Sequence, residues 1–204
     1  MGRPKLRTPE LRDRVLDVAM ATLAGEGVAG FTTRKVAQQA ATSIPAVYEL
    51  FGDKAGLVRE LFFEGFRSLR RRLGELRLSE DPRADLVGAF RVFRSFVRDN
   101  PVLAEVMFAR PFGDFDPGPE ERAAGASVRE FFIGQVRRCT GAGLLAGNET
   151  DIAHVLLALA QGMAAQETAG WLGTSKASVN RRWALAFRAT LDGLTPHRHT
   201  GPAS

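Results

Sequence analysis

The sequence predicts an all-α fold of about nine helices, with a small N-terminal helix-turn-helix domain followed by a larger helical domain. Apolar residues recur at three- and four-residue steps along most of the 204 residues, which is the period of an amphipathic helix. No stretch keeps the apolar–polar alternation of a half-buried strand. A hydrophobic fraction of 45% is enough for a packed core. We expect a first domain at residues 1–53, a second at 54–195 and a disordered tail at 196–204.

Capping residues, Pro and Gly mark the expected helix boundaries. Thr8 is suited to cap the first helix, Gly25 and Gly27 to end it, and Asp53 to cap the fourth. The first helix is expected at 9 to about 24, the second ends at 39 and is capped by Thr32 or Thr33, and the third is expected at 43 to about 50. The fourth begins after 53 and has apolar residues to 76, the fifth begins after 82 and ends at about 99, and the sixth is expected at 101 to about 109. The seventh includes 131–136 and ends near 141, the eighth is expected at 150 to about 172, and the ninth is stopped by Pro196.

The second and third helices are joined by a tight turn of small residues at 40–43, as in a helix-turn-helix. Val36, Val47 and Phe51 are expected to form the core of this unit, with Ala37 where the two helices cross. The third helix would then enter the major groove of DNA and present small or hydrogen-bonding groups to base edges. The sequence therefore predicts double-stranded DNA as a partner.

Several side chains around this turn are expected to contact DNA. Ser43 can donate to a base or phosphate, and Tyr48 can reach a backbone phosphate. Ile44 and Ala46 can touch thymine methyl groups. The N-terminal arm can lie in the minor groove or along the backbone. The full predicted set is Arg3, Lys5, Thr32, Thr33, Arg34, Ser43, Ile44, Pro45, Ala46, Tyr48 and Lys54.

Charge and composition agree with this prediction without requiring it. The net charge is +5 and the sequence pI is about 10.1, which favours a polyanionic partner. The lysines are few (Lys5, Lys35, Lys54 and Lys176), so Arg supplies nearly all the positive charge. Arg suits phosphate because its planar guanidinium binds two oxygens at once. Codon bias in the source genome is the simpler explanation of the Arg excess.

The same residues resemble the DNA-binding region of the tetracycline-repressor (TetR) family. The resemblance covers roughly the first 60 residues and lies in the segments FTTRKVA at 31–37, AATS at 40–43 and AVYELFGDKAGL at 46–57. It implies an all-α homodimer whose N-terminal domain binds a palindromic operator. It also implies a C-terminal domain that binds a small effector and forms the dimer through a four-helix bundle.

Three positions depart from the family pattern. Ala41 stands where the family usually has Gly, Thr42 where it has Val or a similar residue, and Glu49 where a basic or aromatic residue is common. A carboxylate near phosphates would repel them, so Glu49 is expected to point away or to pair with an Arg. These departures leave the operator sequence open.

The C-terminal domain is expected to hold an apolar effector pocket with a few polar groups that orient the ligand. Phe residues between 90 and 132 can line such a pocket, and ordinary core packing is the alternative for each of them. The predicted pocket residues are Phe93, Met107, Phe108, Phe132, Gln135 and Gln161.

The last two helices are the predicted dimer interface. The eighth is apolar almost all round between Val155 and Ala165, and a helix without a polar face must be buried on all sides. Packing within one subunit is the alternative. The predicted interface residues are Ala158, Gly162, Ala165, Trp183, Phe187 and Leu191.

Other functional classes find little support in the sequence. Cys139 is the only cysteine, which excludes an intramolecular disulfide. It is expected to be a buried small residue. The alternative is a redox sensor whose thiol is activated by Arg137 and Arg138. Asp151 and His154 lack the further ligands that a di-metal bundle needs, so neither a metal nor a cofactor is expected. No catalytic cluster, signal peptide or membrane span is evident, which predicts a cytoplasmic protein that is not an enzyme.

The sequence thus predicts a homodimeric repressor that a small apolar effector releases from a palindromic operator. Two alternatives remain at this stage. A transcriptional activator would make the same DNA contacts. An all-α enzyme or carrier that retains the fold would need a catalytic cluster in the C-terminal half.

Overall fold

The computed structural model describes residues 8–109 and 118–196, and within these ranges it contains nine α-helices and no strand. The prediction of an all-α fold is confirmed. The helices are α1 (Pro9–Gly30), α2 (Thr33–Gln39), α3 (Ile44–Phe51), α4 (Lys54–Gly74), α5 (Pro82–Asp99), α6 (Pro101–Phe108), α7 (Pro119–Gly141), α8 (Glu149–Thr168) and α9 (Lys176–Gly193).

The first four helices begin after capping side chains, of which Thr8, Thr32 and Asp53 were expected to cap and Ser43 was not. Thr8, Thr32, Ser43 and Asp53 each accept a hydrogen bond from the backbone N–H three residues further on, at 2.7 to 3.3 Å. Each cap satisfies one of the N–H groups that the first turn of a helix leaves unpaired. Three helices therefore begin close together in the sequence, between residues 32 and 54.

Two helices end elsewhere than expected. α1 runs past Gly25 to Gly30, although Gly27 (φ 68°) leaves the helical region and introduces the break that was expected there. α8 ends at Thr168 instead of near Leu172, because the chain turns at Gly170, where φ is +75°. Glycine adopts these left-handed angles at no steric cost.

By its internal contacts the chain divides into two compact units. The first contains the residues up to Arg70 together with Asp99–Gly125, and the second contains Arg71–Arg98 and the chain from Ala126 onward. The helices α4 and α7 are each shared between the units. This grouping places α6 and most of α4 with the helix-turn-helix, whereas the sequence suggested a boundary after residue 53.

Each unit has its own apolar core. In the first, α1 packs on α2 and α6, and Val15, Ala19 and Leu23 are buried. In the second, the ring of Phe90 stacks on Phe132 at 4.5 Å between centroids and lies 4.7 Å from Phe187. Aliphatic side chains fill most of the core, and the buried Phe rings add large apolar surface to it.

A buried polar cluster fixes the start of α5 within the second unit. Asp85, at 7% exposure, accepts hydrogen bonds from the backbone N–H of Ser79 (2.8 Å) and from Arg138 Nη1 (2.7 Å). The hydrogen bond from Arg138 is the main reason that the pKa of Asp85 lies below its ordinary value. The carboxylate is thus held in its charged form.

Candidate functional site

The helix-turn-helix is locked by small apolar side chains at the crossing of α2 and α3. Val36 and Val47 are completely buried, and Ala37 is 2% exposed. The turn closes with a hydrogen bond from Thr42 N to Ala37 O at 2.9 Å, and Arg14 on α1 donates to Ala40 O at 3.2 Å. The carbonyl groups at the end of α2 therefore have partners, and the angle between the two helices is fixed by packing.

Ala41 in this turn has a left-handed backbone. Its φ is +52°, and among the described residues no other non-glycine residue has a positive φ. The sequence comparison with the TetR pattern singled out this position because Gly is usual there. The structure gives the physical reason, since glycine is the residue that adopts such a φ without strain.

The exposed side of α3 defines the surface that DNA can reach. Ser43 and Pro45 are exposed, Tyr48 is 43% exposed, and Ile44 is half-buried. Ser43 Oγ accepts the capping hydrogen bond, so its O–H still has a proton to donate. From Ser43 to Phe51 the chain carries no Arg, Lys, Asn or Gln, the residues that read bases through paired hydrogen bonds.

Two of the residues predicted to contact DNA are buried. Thr33 is 7% exposed and Ala46 is 2% exposed. The thymine contact expected of Ala46 is therefore corrected: its methyl group is used in the core, and Pro45 and Ile44 are the apolar groups left at the surface. Glu49 is exposed on the same helix.

The basic groups around α3 differ in how they are engaged. Arg34 is exposed and forms no ion pair with any described residue. Lys35 pairs with Glu26 on α1, and Lys54 is half-buried at the start of α4. The predicted contacts Arg3 and Lys5 lie outside the described residues. The full positive charge of Arg34 is therefore available to a DNA phosphate.

The α4 helix is tied closely to the end of α3. A Cβ added at Gly56 would lie 2.9 Å from the backbone carbon of Phe51, so only glycine permits this approach. Arg12 on α1 pairs with Glu60 of α4 at 2.7 Å, and its guanidinium lies 5.4 Å from the ring centre of Phe51. Any displacement of this part of α4 must therefore displace α3.

The residues predicted to line an effector pocket belong to different units. Phe93, Phe132 and Gln135 are buried in the second unit, and the amide oxygen of Gln135 accepts from Arg138 at 3.2 Å. Met107 is buried and Phe108 half-buried in the first unit, where Phe108 packs edge-on against Phe66. Gln161 is exposed on α8, and its assignment to a pocket stays a prediction.

The predicted dimer residues fall into two groups. Ala158, Gly162 and Ala165 lie on the exposed face of α8. On α9, by contrast, the three predicted interface side chains are 6% exposed or less, because they pack within their own chain: Trp183, Phe187 and Leu191. Little of their surface is left for a second copy.

A groove of about 660 Å³ lies between α5 and α9 in the second unit. The sequence did not predict it, although three of its lining residues were assigned to the dimer interface. Its lining side chains include four arginines against one aspartate, and the full set is Arg83, Val87, Phe90, Arg91, Arg94, Asn180, Trp183, Ala184, Phe187, Arg188, Leu191 and Asp192.

Cys139 is completely buried, and burial raises the pKa of its thiol even though Arg138 opposes that shift. The alternative in which neighbouring arginines activate this cysteine is therefore corrected, since reactive cysteines are accessible and have a lowered pKa. Over the ranges 8–109 and 118–196, no three His, Cys, Asp or Glu side chains gather where they could hold a metal. None of the helices there is long and apolar enough to cross a bilayer.

A helix-turn-helix with an exposed side on its second helix, in a chain that is helical throughout its described elements, defines the class of DNA-binding transcription regulators. Two family models match the chain: "Bacterial regulatory proteins, tetR family" over residues 15–61 and "Tetracyclin repressor-like, C-terminal domain" over residues 86–190. The second match alone covers just over half of the chain. The protein belongs to the TetR family of bacterial transcription regulators.

Solved structures have the same fold. One is a protein of unknown function from Rhodococcus sp. RHA1, with 24% identity and a TM-score of 0.79 over 96% of this chain and 100% of that one. A tetR-family regulatory protein from Rhodococcus RHA1 has 18% identity and a TM-score of 0.68, covering 93% and 100% of the two chains. The TetR regulator PfmR from Thermus thermophilus has 19% identity and a TM-score of 0.65, covering 86% and 98%. A comparison with curated proteins gives no match.

Proposed function

We propose that the protein is a homodimeric repressor that binds a palindromic operator through α3 and leaves it when a small effector binds. The observation that carries the proposal is the surface formed by Ser43, Pro45 and Tyr48 beside the unpaired Arg34. A second candidate, activation of transcription through the same contacts, differs only in where the operator lies relative to the promoter.

The exposed groups divide between positioning and base reading. Arg34 and the Tyr48 hydroxyl supply phosphate contacts, which fix the helix on the duplex. Ser43 supplies one hydrogen bond, and Ile44 and Pro45 supply apolar contacts to thymine methyl groups. With so few donors at base edges, the shape of the operator carries much of the remaining specificity.

The DNA-binding step is tested on operators selected from genomic fragments by the purified protein. Arg34→Ala should weaken binding, by fluorescence anisotropy, about tenfold and lower the slope of log affinity against log salt by about one. Lys35→Ala is the matched control, because Glu26 already neutralises that neighbouring cation. Equal losses in both variants, or none in either, would contradict the assignment of Arg34.

The dimer is proposed to form through the exposed face of α8. Ala158, Gly162 and Ala165 are small, so a second helix can approach closely. Val155 on α8 and Leu185 on α9 are 54% and 56% exposed, which leaves apolar surface for a partner to cover. Two recognition helices related by a two-fold axis then read half-sites about 34 Å apart.

Oligomeric state tests this interface directly. Ala158→Arg should convert the dimer to a monomer in analytical ultracentrifugation, because it places a long charged side chain where the helices meet. Ala24→Arg, on the exposed face of α1, is the matched control and should leave the dimer intact. A dimer that tolerates Ala158→Arg would place the interface elsewhere.

Release by an effector is proposed to act through α4. This helix has residues in both units. Its first turns contact the end of α3 directly at Gly56, and Glu60 is linked to α3 through Arg12 of α1, which lies against the Phe51 ring. A tilt of α4 would therefore change the spacing of the two recognition helices in a dimer.

In a reconstituted transcription reaction on a promoter that carries the selected operator, adding the protein should lower the transcript yield. A higher yield would favour the activator.

A further inference from the structure

The groove between α5 and α9 has an apolar floor that is held in place before any ligand arrives. Trp183 and Phe187 lie with their rings nearly parallel, 5.8 Å between centroids, and Phe90 lies 4.7 Å from Phe187. All three side chains line the groove. A volume of about 660 Å³ is within the range of sites that bury small organic molecules.

A shared carboxylate fixes one wall of the groove. Glu167 accepts two hydrogen bonds from Arg94, at 2.7 and 2.8 Å, and a third from the indole N–H of Trp183 at 2.7 Å. The guanidinium of Arg94 also lies 5.0 Å from the centre of the Trp183 ring. Because these partners satisfy Arg94, it shapes the groove without offering a free charge. Arg83 is likewise neutralised, by Asp192.

The two remaining arginines face the groove without a counter-ion. Arg91 on α5 and Arg188 on α9 line it and are exposed. Neither forms a hydrogen bond or an ion pair with any residue in the parts of the chain that the structure describes. Two free guanidinium groups beside a floor of aromatic rings match an anion whose body is flat and apolar.

We propose that this groove binds a small organic anion with a flat apolar body, such as an aromatic carboxylate, sulfonate or phosphate ester, and that this anion is the effector. Arg91 and Arg188 bind the anionic group, and Phe90, Trp183 and Phe187 contact the body. This differs from the apolar effector that the sequence suggested. Binding of the anion in the groove does not depend on the proposed function, whereas its role as the effector does.

Binding is tested without DNA, using a pair of probes that differ in charge. Anilinonaphthalene sulfonate carries the anionic group, and N-phenylnaphthylamine has the same ring system without it. The double variant Arg91→Gln/Arg188→Gln should weaken sulfonate binding about tenfold, equivalent to about 1.4 kcal/mol, and leave binding of the neutral probe unchanged. Arg181→Gln is the matched control, since this exposed arginine of α9 does not line the groove.

The position of the probe is read from Trp183. The chain has two tryptophans, and Trp171 is 82% exposed outside the groove lining, so Trp171→Phe isolates the groove signal. Energy transfer from Trp183 to the bound sulfonate should then saturate at one probe per chain. Sulfonate binding that is equal in the double variant and in Arg181→Gln, or energy transfer that does not saturate, would overturn the proposal.

The effector role has its own readout. Saturating sulfonate should change the affinity of the wild-type protein for its selected operator, and the double variant should lose that change. Saturation of the groove with no change in operator affinity would refute the effector role while leaving DNA binding intact. Failure of the protein to bind any operator would refute the proposed function instead, whatever the probe does.

Discussion

Replacing Ala41 by Gly should stabilise the protein. An L-residue with a left-handed backbone costs about 1–2 kcal/mol, and Ala41 has a φ of +52°. Glycine removes that strain but gains freedom in the unfolded chain, which costs about 0.4–1 kcal/mol. The methyl group of Ala41 is exposed, so its removal forfeits no packing. Taken between the mid-points of these two ranges, the difference is a gain of about 0.8 kcal/mol in the free energy of unfolding.

Thermal unfolding at fixed protein concentration measures this gain. For a chain of this size 1 kcal/mol corresponds to about 2–4 °C, so Ala41→Gly should raise Tm by about 1–4 °C. The neighbouring Ala40 is the matched control, with a φ of −79° and an exposure of 1%. Ala40→Gly loses a buried methyl and gains unfolded-state freedom, so it should cost about 1–2 kcal/mol. A Tm for Ala41→Gly that is unchanged or lower would refute the strain argument.

Three further predictions concern the close helix contact and the buried carboxylates. Gly56→Ala should lower the free energy of unfolding by about 1–3 kcal/mol in denaturant titrations and should weaken operator binding, because the new Cβ would lie 2.9 Å from the Phe51 backbone. Gly25→Ala is the control: Gly25 has open space around it, so this change should stabilise the protein by about 0.5–1 kcal/mol. Equal effects of the two substitutions would contradict the packing argument. Glu167→Gln should lower the free energy of unfolding by about 2 kcal/mol, because hydrogen bonds to a charged acceptor are lost, and an unchanged denaturation midpoint would argue against this. Burial alone would raise the pKa of Glu167, but its hydrogen bonds lower it, and the pKa of Asp85 is lowered too. The stability that these two carboxylates contribute should therefore be complete above their ordinary pKa values of 4.5 and 3.8, and it should be lost as the pH falls through the lower values of the folded state. A free energy of unfolding that does not change with pH in this acid range would contradict both shifts.

The helix-turn-helix could be predicted from sequence because its signals are local. Each cap acts on a backbone N–H three residues away, and the small residue at the crossing is needed whatever the rest of the chain does. Thr8, Thr32 and Asp53 were therefore expected to cap helices, and they do. The burial of Ala46 was missed because a rotation by one residue decides which side of a short helix is buried.

The groove could not be predicted, because it depends on which helices become neighbours. Arg83, Arg91 and Arg94 lie on one side of α5, which the sequence spacing alone indicates. Nothing local indicates that this side faces α9. For the same reason Trp183 and Phe187 read as an interface between subunits, whereas their partners lie in their own chain.

The recognition helix has a consequence for how the protein is distributed along a chromosome. From Ser43 to Phe51 it offers none of the paired hydrogen-bond donors that make a wrong base pair cost about 1–3 kcal/mol. We therefore expect near-cognate sites to be penalised only weakly and to compete with the operator in large numbers. Occupancy would then depend strongly on the number of protein copies per cell, so that regulated promoters would respond in graded order as that number changes.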